Sequence, residues 1–255
     1  MCCKFLKKSV SSFYLLSTLA MVASAASPIT TSKPKTLTPS ANISYVSQYL
    51  FRGIQQSNEN MAIQGGFDVS HSSGLYLGTW SSNVLFADAI GAGTTSSTSI
   101  ENNLYGGFAK DIGKFSLDMG GIYYLYPDAT SSLDYNFGEL YASLSTEIST
   151  VSLSTGINVS NEFYAKSGRA VYGNASISVP VADSLTLSAA IGRQYIERPS
   201  VYGVDSNYYD YSAGLEYAFN DTYAAGLSFV DNSFSEDEAG YVDGWRVVAS
   251  LSASI

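Results

Sequence analysis

The sequence predicts an all-β protein, a transmembrane antiparallel β-barrel of about twelve strands. Three observations predict it. Apolar residues recur at every second position over most of the chain, the connections between these segments alternate short and long, and the chain opens with an export leader.

Taken in order, Lys4, Lys7 and Lys8 precede an apolar stretch from about Phe13 to Val22, and Ala23-Ser24-Ala25 ends in a small-x-small cleavage pattern. Residues 1–25 therefore read as a secretory signal peptide. Cys2 and Cys3 both fall inside it, so the mature chain is expected to hold no thiol, no disulfide and no thiolate metal site. Residues 26–40, rich in Ser, Thr, Pro and Lys and without periodicity, read as a flexible periplasmic lead-in, and residues 41–255 as the barrel.

Period-two matching places strands at roughly 41–51, 62–70, 74–84, 100–109, 114–125, 137–147, 150–160, 170–179, 184–194, 207–218, 222–230 and 243–255. The clearest is Val151 to Ser160, where one face is almost wholly apolar and the other is Ser, Gly and Asn. The last strand sets Trp245, Val247, Ala249, Leu251, Ala253 and Ile255 on one face. An alternating final strand of this kind is what the barrel-assembly machinery reads at the end of outer-membrane barrels, although Ile255 stands where Phe is usual.

The twenty Tyr, twenty-two Gly and 14% charged residues suit a soluble β-sandwich as well as a barrel. The connections separate the two. Short ones fall near 71–73, 110–113, 148–149, 180–183 and 219–221, and long ones near 52–61, 85–99, 126–136, 161–169, 195–206 and 231–242. Outer-membrane barrels sort short periplasmic turns from long outer loops in this way, which puts both ends of the chain in the periplasm. Tyr123, Tyr124, Tyr126, Tyr135 and Phe137 at one end, with Phe219 and Tyr223 at the other, are expected to form interfacial aromatic girdles.

Losing the three leader lysines takes the formal charge from −9 to −12. So acidic a chain lacks the clustered cations that nucleic acid binding needs. Beyond the leader no apolar run is long enough for a helical span, whereas alternating strands of about ten residues suffice for a barrel.

Three segments carry a resemblance. Tyr49-Leu50-Phe51-Arg52-Gly53-Ile54-Gln55-Gln56-Ser57, Ala62-Ile63-Gln64-Gly65-Gly66-Phe67-Asp68 and His71-Ser72-Ser73-Gly74-Leu75-Tyr76-Leu77-Gly78-Thr79-Trp80-Ser81-Ser82-Asn83-Val84 resemble the N-terminal signature of the TorF-type family of putative porins. The resemblance covers about the first third of the mature chain and implies a Gram-negative outer-membrane barrel with a pore. It transfers no binding residues.

Chemistry has few places to reside. The single histidine, His71, falls in a short turn beside Ser70 and Ser72, where adjacent residues do not face one another as nucleophile and base. No metal-ligand spacing is present, and neither enzyme nor cofactor is expected. If apolar side chains face lipid, the lumen carries mostly Ser, Gly, Ala, Thr and Asn, leaving room for water along the axis. With them go Asp68, Asp118, Glu139, Glu147, Asp210 and Glu216 against Arg52 and Arg246, a balance that is either cation-selective or a set of structural struts. Arg52 at the loop rim is read as a constriction group or as the partner of Glu139 or Asp210. Arg193 takes the lipid-facing phase, and Glu236-Asp237-Glu238 a solvated outer loop. The expected partners are outer-membrane lipid, small hydrophilic solutes or ions, and the assembly machinery; the oligomeric state stays open. A non-conducting adhesin or anchor is the alternative to a porin.

Overall fold

The computed structural model describes residues 37–89, 95–204, 207–234 and 244–255. The expected signal peptide, most of the lead-in and the acidic triplet at 236–238 lie outside them. Twelve strands close into one barrel: β1 (Leu37–Val46), β4 (Ala62–His71), β5 (Leu75–Ala89), β6 (Thr95–Ile112), β7 (Phe115–Leu125), β8 (Phe137–Ile148), β9 (Val151–Ser160), β10 (Ala170–Ala182), β11 (Leu185–Ile196), β12 (Tyr208–Ala218), β13 (Tyr223–Asn232) and β14 (Arg246–Ser254). A two-stranded hairpin, β2 (Leu50–Phe51) with β3 (Ile54–Gln55), interrupts the series after β1.

Each barrel strand pairs antiparallel with its neighbours, and β1 closes the ring against β4 on one side and β14 on the other. Closure leaves no edge, as a backbone surrounded by hydrocarbon requires. The last residue takes part: the Ala41 amide donates to the Ile255 carbonyl at 3.0 Å and the Ile255 amide returns the bond at 2.9 Å. Short turns and both barrel termini share one end, and the longer connections share the other; these are called the turn end and the loop end below.

Alternation sorts the side chains. Ile43, Leu77, Leu104, Met119, Leu140, Ile157, Ile191 and Leu227 lie exposed on eight of the twelve strands around the outside, and Ile63, Ile177, Leu215 and Leu251 on the other four. A soluble surface does not carry an apolar belt this continuous, whereas lipid tails cover it. The opposite phase points inward and is buried or half-buried.

Several boundaries differ from the sequence expectation. The first strand ends at Val46, so Tyr49 to Phe51 are not its continuation; they leave the wall and turn into the lumen. It also begins at Leu37, inside the expected lead-in, because Leu37 to Ser40 pair with Asp68 to His71. Pro39 is tolerated there since this part of β1 pairs only with β4, and the β14 pairing starts at Asn42. The β5–β6 hairpin runs beyond its expected ends, to Ala89 and from Thr95.

Candidate functional site

The hairpin fills the loop half of the lumen. Arg52 and Gly53 both have positive φ, 49° and 77°, the two-residue turn whose twist matches paired strands. A non-glycine residue there carries strain, so something must hold Arg52 in place. Apolar burial does part of this: Leu50 is 2% exposed and Ile54 8%, worth roughly 1.5–3 kcal/mol each relative to solvent. Hydrogen bonds do the rest. A register shift in β5 between Asn83 and Phe86 marks a bulge, and there the Leu85 amide donates to the Gln56 carbonyl at 2.8 Å. At the tip, Asn232 Nδ2 donates to the Gly53 carbonyl at 3.0 Å.

Arg52 itself crosses the lumen. Its Nη1 and Nη2 donate to Glu139 Oε1 and Oε2 at 2.9 and 2.7 Å, a bidentate pair, and Nη1 also donates to Gln194 Oε1 at 2.8 Å. The guanidinium lies 4.2 Å from the Tyr172 ring centroid and 4.7 Å from that of Phe51. Glu139 accepts further bonds from Asn158 Nδ2 at 3.2 Å and the Tyr124 hydroxyl at 3.3 Å. Of the two carboxylates expected as partners, Glu139 takes the ion pair. Asp210 accepts from the Tyr172 hydroxyl at 3.1 Å and packs its Cβ against Gly53.

Large rings close this half. Tyr124 stacks on Phe137 at 4.2 Å, Phe137 meets Phe163 at 4.6 Å, Tyr135 stacks on Tyr164 at 4.4 Å, and Tyr208 meets Phe234 at 4.7 Å. Two expectations are corrected here. The loop half is packed with aromatics instead of small polar groups. Of the five residues expected as the loop-end girdle, Tyr123 faces outward, 47% exposed, while Tyr124, Tyr126 and Phe137 are buried inside and Tyr135 packs against them. The physical reason is period two: adjacent aromatics on one strand cannot share a face. Tyr195, Tyr209, Tyr211 and Trp245 supply outward-facing aromatics toward the loop end, and Phe115, Tyr217, Phe219 and Tyr223 supply them toward the turn end.

The turn half is built differently. Ser143, Ser154, Ser176, Ser188, Ser228 and Ser250 line the inward phase of β8 to β11, β13 and β14, with Gly214 of β12 between Ser188 and Ser228. On the facing strands, Tyr76 and Tyr141 flank Gly107 and Gly120 in one register row, and their hydroxyls meet above the glycines. A Cβ on Gly107 would stand 2.6 Å from the Tyr76 hydroxyl, so glycine is what allows the ring to lie flat on the wall. Tyr76 donates to Asp118 Oδ1 at 2.6 Å, and Tyr105 to Asp68 Oδ1 at 2.6 Å across Gly78.

The remaining expected residues separate. Glu147 is exposed near the turn end, and Glu216 is half-buried on the inward phase of β12. Arg246 does not approach Arg52's network; it stays at the loop rim, 3.4 Å from Glu59. Arg193 is exposed and packs over the Tyr209 ring at 5.2 Å. His71 Nδ1 bonds Ser73 Oγ at 2.7 Å, so the turn does bring a serine to the imidazole, though Ser73 and not the two neighbours considered. Among the described residues no group of three His, Cys, Asp or Glu could hold a metal ion.

One inward carboxylate escaped the sequence reading. Glu101, 1% exposed, accepts from Asn103 Nδ2 at 2.7 Å and from the Tyr49 and Tyr126 hydroxyls at 3.4 Å. Glu101-Asn102-Asn103 is polar on both phases, which hides the alternation; counting back from Tyr105 and Gly107 recovers it.

Against known families, a model described as a bacterial protein of unknown function (Gcw_chp) matches residues 26–253. The chain belongs to this family. The search of the curated proteins found no match. Among solved structures, the chain is similar to an outer-membrane channel from Pseudomonas putida F1, with a TM-score of 0.53, 9% identity, and 88% of this chain and 96% of that one covered. It is also similar to the NanC porin, with a TM-score of 0.50, 8% identity, and 85% and 98% covered. At such identities the likeness is one of fold: this member of the family is a porin-like β-barrel.

Proposed function

We propose that this protein is a narrow outer-membrane channel for passive diffusion of small hydrophilic solutes or ions, with a preference for cations. The observation that carries the reading is the charge of the lumen wall. On the inward phase stand Asp68, Asp118, Glu147 and Glu216 toward the turn end and Glu101, Glu139 and Asp210 toward the loop end, against Arg52 and Arg246. In the turn half Lys110 takes the outward phase and Lys114 a turn, so among the described residues no cationic side chain offsets those carboxylates. Carboxylates in a low-dielectric wall concentrate cations. The hairpin would be the constriction and the serine-lined turn half the wide vestibule.

The TorF-type resemblance and the outer-membrane channel and porin neighbours support the same reading. It includes residues 1–25 as the leader and the β14 strand as the segment read during assembly. Single-channel conductance in a planar bilayer, with reversal potentials in a salt gradient, tests it. Discrete steps with a cation-directed reversal potential support the channel. Silence from barrels whose closure is verified by heat-dependent gel mobility overturns it. A non-conducting display barrel would then take its place, and the ion pairs Lys166–Asp134 at 2.7 Å, Arg169–Glu197 at 3.2 Å and Arg198–Glu162 at 3.3 Å, which knit the loop end into a cap, favour that second reading.

A further inference from the structure

The seat of Arg52 has the composition of a ligand site whose occupant belongs to the chain itself. The hydrogen-bonding groups that receive the guanidinium and the ring nearest it come from the barrel wall, Glu139 from β8, Gln194 from β11 and Tyr172 from β10, while Phe51 of the hairpin and Phe163 of the β9–β10 connection complete the seat. These strands are held by wall pairing in which the hairpin takes no part. The seat also holds a second carboxyl beside the one that Arg52 pairs with. Asp210, 1% exposed, lies against the hairpin tip at Gly53, and its Oδ2 has no hydrogen-bond partner among the described residues. Arg52 in turn is held at a φ of 49°, a left-handed position that a non-glycine residue leaves readily once its contacts are matched by something else.

We propose that the loop half of the lumen contains a recognition site for guanidinium-bearing cations, which Arg52 occupies as an internal stand-in until a solute of the same chemistry displaces it. The inference rests on the channel reading and names the solute class. A planar guanidinium presents two parallel N–H groups to Glu139, a third to Gln194 and a flat face to Tyr172. An ammonium is a compact point charge that satisfies one carboxylate oxygen at a time and does not stack. Displacement would leave the Asn232–Gly53 bond as the tip's tie to the wall, so binding of the solute loosens the hairpin and couples to widening of the path.

The test uses barrels purified from membranes of cells that make the full chain, with ethylguanidinium and ethylammonium chloride as probes. In Arg52→Ala, calorimetry should show ethylguanidinium binding about tenfold more tightly than ethylammonium, and the preference should vanish in Arg52→Ala/Glu139→Gln. Equal binding of the two probes by Arg52→Ala, or a preference that survives loss of Glu139, overturns the site. Calorimetry needs no current. A barrel that binds selectively but never conducts therefore sinks the channel reading alone, and one that conducts without preference sinks the site alone. If Arg52→Ala does not fold, a Trp245→Phe chain keeps Arg52 and reports through Trp80, whose ring meets Tyr49 of the hairpin segment at 5.6 Å. Ethylguanidinium should change Trp80 emission at concentrations where ethylammonium does not; identical titrations overturn the proposal.

Discussion

The two halves of the lumen solve the same problem, filling or wetting the inside of a twelve-stranded ring, with different materials. The loop half is filled by a segment from outside the wall, the hairpin, and by aromatic rings that close over it. Its polar groups gather in two buried networks, one around the Arg52–Glu139 ion pair and one around Glu101. The turn half is lined by wall residues alone, and Tyr76 and Tyr105 are each braced by a carboxylate and a facing glycine. The contrast teaches where change is tolerated. In the loop half a single lost partner strands a buried charge; in the turn half water can replace what is removed.

The sharpest way to break the comparison is Glu139→Ala. It leaves the Arg52 guanidinium buried and without its carboxylate, and should cost about 3–5 kcal/mol in denaturant unfolding of the micelle-bound barrel. A cost no larger than for a surface pair would show that water reaches the loop half. Next comes Gly107→Ala, whose Cβ would meet the Tyr76 hydroxyl at 2.6 Å and the Met119 carbonyl at 2.5 Å; overpacking of this kind costs about 1–3 kcal/mol. Gly173→Ala, with nothing within 4 Å of the new methyl, is its control and should be near neutral in the same unfolding assay.

A smaller effect is expected from Asp118→Asn combined with Glu147→Gln in the turn half. The fold should survive, and the cation-to-anion permeability ratio should fall; an unchanged reversal potential would assign these carboxylates to bracing alone. The smallest concerns the loop end. Asp128 Oδ2 accepts from the Ser99 amide at 2.8 Å and from the Ser99 hydroxyl. Partial burial works against the charge, but these bonds outweigh it and hold the carboxyl below its ordinary value of 3.8. A depressed carboxyl stabilises the fold above that value and loses its contribution as pH falls through the lower, folded one. Hydrogen exchange should therefore show the Ser99 amide protected at neutral pH and released in strong acid, with the rest of the barrel strands unaffected.

Much of this was legible in the residues. Period two and the alternation of short and long connections are local signals, and they placed twelve strands and the inward phase of Asp68, Asp118, Glu139 and Asp210 without any distant information. The same signal misled at Tyr49 to Phe51, which alternate like a strand and pair as one, but within a hairpin of their own. It also left open which partner Arg52 would choose, because Glu139 lies 87 residues away in sequence and Gln194 lies 142 away.

The sequence by itself determined the barrel, its strand number and the inward phase of Asp68, Asp118, Glu139 and Asp210, since each depends only on a residue's immediate neighbours along the chain. Only the tertiary structure decided that the first long loop enters the lumen and which carboxylate it meets there. Closure is what brings β8, β10, β11 and β12 around one point, and no local pattern encodes the depth at which an inward side chain arrives.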